Sequence, residues 1–443
     1  MKNDLLKGNV FKTLIAFAIP FLLSNLLQIL YGSADLFVVG RFATTADVSG
    51  VSIGSQTMTL FTQFILGLTT GITILLGRYY GSNKIRELSK TVGASIALFT
   101  ILGAILTVVI YLFHSPLVLL MNTPKEALSN TKNYLSICSL GFIFIIGYNV
   151  VSAILRGIGN SKTPLLFVFI ACVINVVLDF ILVGGFRMGV AGAAIATVGA
   201  QGFSFLFSLI YLKKRGIGFR LYKEDISLSS KINTILKVGM PLGLQSALVS
   251  VSFLFITVVI NGMGVVASAA VGVDEKLIEF LMLPSIAFGS AISTMVAQNV
   301  AANQLNRAKE TTIDGIKICM IFACFVVTIT QLFPHFFPSL FTSDYKVIEQ
   351  ASLYMRTYSI DCLCTSLMFC LNGYLNGQGA TMFTMVHSLI SSFTIRIPMT
   401  YLISTIPKIS ILYLGIAAPT SSIISLIMIV IYLRINNMSL RKN

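Results

Sequence analysis

Long uncharged stretches recur along the whole chain and constrain its fold more than any other feature. Apolar runs of about 18 residues or more can cross the roughly 30 Å hydrocarbon core of a bilayer as helices. Of the 443 residues, 56% are hydrophobic and only 11% are charged, whereas a soluble domain carries about 25% charged residues. The pattern predicts an all-α membrane protein with many spans.

Glycine, proline and charged clusters divide these runs into twelve predicted transmembrane helices. The first run exceeds the roughly 7–15 apolar residues of a signal peptide, so we interpret it as the first transmembrane helix. The predicted ranges are 13–36, 50–77, 91–113, 133–155, 164–184, 190–212, 235–260, 269–296, 312–333, 351–375, 383–405 and 412–434.

The chain is basic, with 31 Lys and Arg residues against 16 Asp and Glu residues. Most of the basic residues fall in loops assigned to one side, which the positive-inside rule places in the cytoplasm together with both termini. This predicts a multi-pass protein of the cell inner (plasma) membrane and explains the charge without a nucleic-acid partner. The seven cysteines lie in apolar segments and lack metal-site spacing, so we expect no metal site and no cofactor.

The two halves of the chain resemble each other at an offset of 220 residues. Asn83 matches Asn303, and the segment 155–159 matches 375–379, including its Gly-x-Gly pair. Six spans per repeat predict two six-helix lobes related by a pseudo-twofold axis along the membrane normal, with a central cavity. We expect an N-terminal lobe at 1–212, a cytoplasmic linker at 213–234 and a C-terminal lobe at 235–443. Rocking of two such lobes is typical of secondary transporters that work by alternating access.

Two acidic residues lie within the predicted first lobe where their neighbours are apolar. Asp179 follows Asn175 by four residues, so both side chains share one helical face, and Asp35 lies near the outer end of the first helix. A charged side chain at the bilayer centre costs about 2.5–3.5 kcal/mol on insertion scales. These three residues are therefore candidates for a site that binds H⁺ or Na⁺, and we expect one of the carboxyl groups to hold a proton. Structural hydrogen bonds between helices remain an equally weighted alternative.

Polar residues of the second half have less specific interpretations. The cluster of Asp274, Glu275, Lys276 and Glu279 is interpreted as paired with itself near a membrane interface. His387 is expected to pack rather than to titrate.

Prolines within predicted spans remove a backbone hydrogen-bond donor and can bend a helix. Pro20 and Pro241, which correspond between the two halves, are the hinge candidates.

Enzyme signatures are missing from the sequence. We find no Walker A sequence, no HExxH motif and no recognisable Ser/His/Asp set. We therefore expect that the protein is not an enzyme.

Four segments together resemble the multidrug and toxic compound extrusion (MATE) family, over about residues 8–435. The segment AIPFLLSNLLQILYGSADLFVVGRF resembles the family's first-helix signature, and LRGIGNSKTP resembles its turn between helices 4 and 5. NVVLDFILVGGFRMGVAGAAIAT resembles helix 5 running into helix 6, and VAQNVAANQLNRAKE resembles the loop after helix 8. The details are most similar to the branch related to DNA-damage-inducible protein F.

This resemblance implies export of amphiphilic, often cationic compounds in exchange for inward H⁺ or Na⁺. In that branch the residues at Asp35, Asn175 and Asp179 are tied to cation coupling. The other main bacterial branch has a glutamate in helix 7 where this chain has Val249. The expected partners are small amphiphilic molecules, the coupling cation and the lipid bilayer, and the protein is expected to be a monomer. The candidate residues for contacting substrate in the cavity are Gln28, Tyr31, Tyr148, Asn149, Asp361 and Arg396.

For Asp361 and Arg396, an intramembrane ion pair and a substrate contact stay open as equal alternatives. Two other functions also stay open. A lipid-linked saccharide flippase of the wider superfamily would need more basic charge within the membrane than this chain has. A membrane enzyme or a receptor without transport would need a catalytic or metal constellation, and none is recognisable.

Overall fold

The structure, a computed structural model, describes residues 4–121, 123–216, 218–228, 231–407 and 409–436. These ranges contain helices, turns and bends, and no β-strand. In chain order the helices are α1 (Val10–Phe42), α2 (Thr45–Gly81), α3 (Ile85–Leu120), α4 (Leu128–Leu140), α5 (Phe142–Gly157), α6 (Lys162–Asp179), α7 (Gly189–Arg215), α8 (Lys231–Asn261), α9 (Val265–Ala301), α10 (Leu305–Leu332), α11 (Phe336–Ser339), α12 (Tyr345–Tyr358), α13 (Asp361–Gly377), α14 (Thr381–Leu389), α15 (Ile397–Ser404), α16 (Ile411–Leu414) and α17 (Ala417–Ile435).

Among the described residues, nine helices are long and apolar enough to cross a membrane, or ten if the bent pair α4–α5 is one span. The prediction of an all-α membrane protein is confirmed. The two predicted spans 351–375 and 383–405 correspond to shorter pieces: α12 stops before α13, and α14 reaches α15 through the π-helical turns Ile390–Arg396. The count of twelve spans therefore stays a prediction, as does the cytoplasmic position of the termini, which lie outside the described residues.

One predicted span, 133–155, is bent where α4 meets α5. The two helices differ in direction by 49°, and Gly141 is the residue between them. A β-carbon at this position would overlap the side chain of Val198 on α7. The bend thus lets α7 approach the backbone closely.

Chain contacts divide the protein into two compact units. The first comprises Leu23–Gly243, and the second comprises Asp4–Leu22 and the described residues from Leu244 onward. Two helices therefore pass from one unit to the other, α1 after Leu22 and α8 after Gly243. The predicted lobe limits at 212 and 235 stay a prediction.

In the first unit, α2 and the start of α8 are in backbone contact through four glycines. Gly67 and Gly71 on α2 leave no room for a β-carbon against the backbone of Leu242 and Gly239. From the side of α8, a β-carbon at Gly239 would lie 2.7 Å from the carbonyl oxygen of Leu68, and one at Gly243 would lie 3.0 Å from that of Phe64. Small residues four apart on both helices are typical of close helix packing within membranes.

The second unit includes the N-terminal segment of the chain. Leu5, Leu14 and Phe17 are buried in its core together with Ile292 and other residues of α9 and α13. The guanidinium of Arg307 on α10 donates to the backbone carbonyls of Lys7 at 2.7 Å and Gly8 at 2.6 Å. The start of α1 is thereby held in the core of the unit that otherwise consists of the second half of the chain.

Backbone conformations support the internal repeat. Asn83 and Asn303 precede α3 and α10 with φ of 54° and 59°, and Gly159 and Gly379 both have φ of 86°. Asparagine and glycine are the residues that adopt this left-handed region most readily. The offset of 220 residues between these turns equals the offset found in the sequence.

The segment that precedes α8 is held against the start of α3 within the first unit. Asp225 accepts a hydrogen bond from the hydroxyl of Ser89 at 2.7 Å and forms an ion pair with the guanidinium of Arg86 at 2.8 Å. The guanidinium of Arg86 also lies over the Tyr222 ring, 4.7 Å from its centroid. These contacts fix the linker on one unit.

Candidate functional site

Asp179 is the last residue of α6, and a π-helical segment, Phe180–Gly185, follows it directly. Asn175 lies one helical turn earlier on the same face. Their side chains are 0% and 1% exposed, and that of Asp35 on α1 is 5% exposed. Single π turns inside helices occur frequently at functional sites because they widen the helix and re-aim its side chains.

The structure brings Asp35, Asn175 and Asp179 together. The carboxyl groups of Asp35 and Asp179 lie within hydrogen-bonding reach of each other, and Asn175 lies beside Asp35. Both carboxylate oxygens of Asp179 and Oδ1 of Asp35 find no hydrogen-bond donor among the described residues. Two carboxylates repel each other at this separation, so the pair needs a positive charge between or beside its oxygens.

Thr197 on α7 supplies the polar contact to this pair that the sequence did not predict. Its hydroxyl donates to Oδ2 of Asp35 at 3.0 Å. One turn further along α7, the Gln201 amide donates to the Tyr31 hydroxyl at 3.4 Å. A small cavity beside the pair is lined by Tyr31, Ala171, Asn175, Thr197, Ala200 and Gln201.

The oxygen ligands at this site suit a small cation. Two carboxylates, one amide oxygen and one hydroxyl are hard oxygen ligands of the kind that alkali and alkaline-earth ions prefer. A proton would instead join the two carboxyl groups in one hydrogen bond. Either the cation or the proton would compensate the negative charge of the carboxylate oxygens that have no hydrogen-bond donor.

Four of the predicted substrate residues lie in the first unit. Gln28 and Tyr31 are half-buried on α1, and Tyr31 belongs to the small cavity. Tyr148 and Asn149 are buried on α5. The Asn149 amide donates to the Ile145 carbonyl of its own helix at 2.8 Å, so one of its polar groups is already occupied.

The other two substrate candidates, Asp361 and Arg396, lie in the second unit. Arg396 is the last residue of the π-helical turns between α14 and α15. Its guanidinium donates to the Tyr358 hydroxyl at 2.6 Å and lies 4.5 Å from the centroid of the Phe253 ring. Within the described residues no ion pair joins it to Asp361, although its charge acts on that carboxylate. Their role in substrate contact stays a prediction.

His387 on α14 is fully buried. Its ring nitrogens contact the Ser425 hydroxyl at 2.6 Å and the Asn372 side-chain oxygen at 2.9 Å. Both nitrogens therefore have partners, as expected for a packing residue.

The hinge candidates lie inside long helices, Pro20 in α1 and Pro241 in α8. Each is within three residues of the point where its helix passes from one compact unit to the other. Their function as hinges stays a prediction.

A protein-family model matches the chain twice, at residues 20–181 and 241–402, and its description is MatE. The chain belongs to the MATE family. The two matches begin at Pro20 and Pro241, in agreement with the internal repeat. As a member of the MATE family, the protein is a multi-pass membrane transporter and not an enzyme.

Curated MATE relatives align over almost the whole chain. The "Probable multidrug resistance protein YpnP" of Bacillus subtilis (strain 168) is 30% identical over 90% of this chain and 90% of its own. The "Multidrug export protein MepA" of Staphylococcus aureus (strain NCTC 8325 / PS 47) is 27% identical over 87% of this chain and 86% of its own.

Solved MATE structures share the helical fold of this chain. A structure described as the "outward-facing conformation of a multidrug resistance MATE family transporter" aligns with a TM-score of 0.91, 20% identity and coverage of 100% of this chain and 99% of that one. A transporter from Pyrococcus furiosus, whose title reports a binding pocket of reverse polarity, aligns with a TM-score of 0.92, 20% identity and the same coverage.

Proposed function

We propose that the protein is a secondary antiporter that exports amphiphilic, often cationic compounds in exchange for H⁺ or Na⁺. The single observation that carries the proposal is the contact between Asp35 and Asp179, in which both oxygens of Asp179 and Oδ1 of Asp35 lack hydrogen-bond donors among the described residues. The relatives are named as multidrug resistance or export proteins, and that supports the substrate class. In this proposal the protein acts as a monomer in the plasma membrane, with both termini in the cytoplasm.

The coupling follows from charge compensation. With the cation bound, the Asp35–Asp179 pair is neutralised and the packing of α1, α6 and α7 around it is favoured. Without the cation, the repulsion between the carboxylates favours a different packing. A ligand shifts such an equilibrium only by its differential affinity for the two states, and the pair supplies that difference through its charge.

The driving force is sufficient for export. One charge moving down a potential of 100 mV yields about 2.3 kcal/mol, and each tenfold concentration ratio of a neutral compound requires about 1.4 kcal/mol. One cation per cycle can therefore sustain a gradient on the order of tens-fold.

The test is dye flux in proteoliposomes that contain the full-length protein. A fluorescent cationic amphiphile is the cargo, and a pH gradient or a sodium gradient is imposed alone. We expect one of the two gradients to drive uphill dye movement. Asp35→Asn and Asp179→Asn should each lower that movement at least about tenfold, whereas Glu349→Gln, an exposed acid on α12, should leave it unchanged.

Three results would contradict the proposal. The first is unchanged coupled flux in both aspartate variants. The second is dye movement whose rate is the same with and without the pH gradient and the sodium gradient. The third is transfer of a lipid-linked saccharide without any dye flux, which would favour the flippase alternative.

A further inference from the structure

Asp274 on α9 is a buried carboxyl group that the antiport mechanism above does not use. It lies nine residues after Val265, the first residue of α9, which is about 14 Å along the helix at roughly 1.5 Å per residue. Its side chain is 0% exposed, and neither carboxylate oxygen finds a hydrogen-bond partner among the described residues. A polar group this deep and this isolated needs a physical explanation.

The predicted self-pairing of the cluster around Asp274 does not include Asp274. Lys276 pairs with Glu279 at 3.3 Å, and their side chains are 67% and 48% exposed. Residues two apart on a helix point to nearly opposite sides, so the Lys276 ammonium faces away from Asp274. The prediction is therefore correct for one pair and wrong for the buried aspartate.

The surroundings of Asp274 add negative charge rather than compensate it. Glu275 is its immediate neighbour, and its charge acts directly on Asp274. The Glu275 carboxylate accepts a hydrogen bond from the Thr257 hydroxyl at 3.3 Å and lies within electrostatic reach of Arg396. The titratable and charged groups that interact with one another here are Glu275, Lys276 and Glu279 on α9, Tyr354 and Tyr358 on α12, Asp361 on α13 and Arg396 before α15.

Arg396 cannot compensate three acids. Of the two basic residues in this set, Lys276 is paired with Glu279, and the Arg396 guanidinium is already engaged by the Tyr358 hydroxyl and the Phe253 ring. An isolated carboxylate in a low-dielectric interior is strongly disfavoured, and the usual outcome is that the group becomes neutral. Asp274 must therefore hold a cationic ligand, and the simplest one is a proton.

The geometry favours a proton over a metal ion. Metal ions that bind oxygen take several ligands at once, and within the described residues no three His, Cys, Asp or Glu side chains come close enough to hold one. A proton needs only one oxygen of Asp274. We propose that Asp274 is a proton-binding site, separate from the Asp35–Asp179 pair and located in the second compact unit, and that its proton exchanges with the aqueous phase.

This proposal does not rest on coupling by Asp35 and Asp179, so the two can fail separately. The test is infrared spectroscopy of the full-length protein in lipid bilayers. The double variant Asp35→Asn/Asp179→Asn serves as the background because it removes the carboxyl signals of the first unit. In that background we expect a C=O stretch from protonated carboxylic acid that shifts on exchange from H₂O to D₂O. Adding Asp274→Asn should remove about one carboxyl equivalent of it.

The matched control is Glu279→Gln in the same background, because Glu279 is an exposed acid on the same helix and its loss should leave the band unchanged. Asparagine has the shape of a neutral aspartic acid, so Asp274→Asn should fold. If Asp274→Asn does not fold, Asp274→Glu is used in its place. A displaced frequency of the carboxylic-acid C=O band in that variant then supports the proposal. An unaltered band in the folded variant, or a band insensitive to D₂O, would overturn it.

Discussion

Thr197 distinguishes the two carboxyl groups of the candidate cation site. Its hydroxyl stabilises a negative charge on Asp35, whereas Asp179 has no donor among the described residues. A hydrogen bond to a charged acceptor contributes roughly 1.5–3 kcal/mol. The pair is therefore asymmetric, and an incoming cation is accommodated best on the side of Asp179.

Removing this hydroxyl should weaken coupling. In Thr197→Val the side chain keeps its shape and loses its donor, so Asp35 is left without the hydrogen bond. We expect cation-driven dye efflux in proteoliposomes to fall about tenfold or more, because a loss of about 1.4 kcal/mol already corresponds to a factor of ten. Thr197→Ser, which retains the hydroxyl, should keep most of the activity; equal losses in both variants would contradict this role.

Single-residue prediction is most specific where a charge stands out against its neighbours. Asp35, Asn175 and Asp179 were recognisable because acids in apolar helices are costly, and a spacing of four residues puts two of them on one face. Thr197 and Gln201 were missed because such residues are common in membrane helices. Their contacts depend on the rotation of α7, which no local pattern specifies.

Among the elements, the bend between α4 and α5 requires glycine at position 141. A β-carbon at Gly141 would overlap Val198, and overpacking of this kind costs typically about 1–3 kcal/mol. We expect Gly141→Ala to lower the thermal unfolding temperature of the protein in detergent. The double variant Gly141→Ala/Val198→Ala should recover much of the loss, because the smaller side chain makes room; a simple sum of the two single effects would contradict the contact.

The linker offers a second test at this scale. The Ser89 hydroxyl, and with it the Arg86 guanidinium, lowers the pKa of Asp225 below its ordinary value. A depressed carboxyl pKa stabilises the folded state above the unfolded value of about 3.9, and this contribution is lost as the pH falls through the folded pKa. At neutral pH the linker should therefore be fully anchored.

Asp225→Asn should loosen this anchor at neutral pH. The amide keeps the size of the side chain but loses the ion pair with Arg86. We expect limited proteolysis between 216 and 228 to be several-fold faster than in the parent protein. Glu224→Gln changes a neighbouring exposed acid and should have no effect; equal cleavage of the two variants would mean that Asp225 does not hold the linker.

Most elements were predictable as helices from hydropathy, yet their interruptions were not. The predicted span 133–155 misses the 49° bend at Gly141, because the side chain that requires glycine there, Val198, comes from another helix. The π-helical turns after Asp179 and before α15 were equally unpredictable, since hydropathy does not distinguish a π turn from an α-helical one. Apolar length predicts that a helix exists, and its neighbours determine where it deviates.

For the whole molecule, the most informative feature is that Asp4–Leu22 belongs to the second unit. Leu5, Leu14 and Phe17 complete a core whose other members come from α9, α10, α13 and α17. A fragment that begins at residue 218 lacks these side chains and should not form a stable protein, because each missing large apolar side chain costs about 2–5 kcal/mol.

Co-expression tests this expectation. We expect fragment 218–443 alone to be degraded or to aggregate in detergent, and to be recovered as a monodisperse complex when fragment 1–217 is supplied. The matched control supplies fragment 24–217, which lacks the segment that enters the second unit, and it should not rescue. A stable, monodisperse 218–443 fragment on its own would contradict the prediction.

The buried N-terminal segment has a consequence for biosynthesis. Leu5, Leu14 and Phe17 pack against α9, and that helix leaves the ribosome roughly tens of seconds after them at about 5–20 residues per second. During that interval the apolar side chains of Leu5, Leu14 and Phe17 lack their native partners. The membrane insertion machinery or the lipid interface must therefore keep them away from water. The segment can take its native place only after the second half of the chain has been synthesised, because residues of α9, α10, α13 and α17 complete its core.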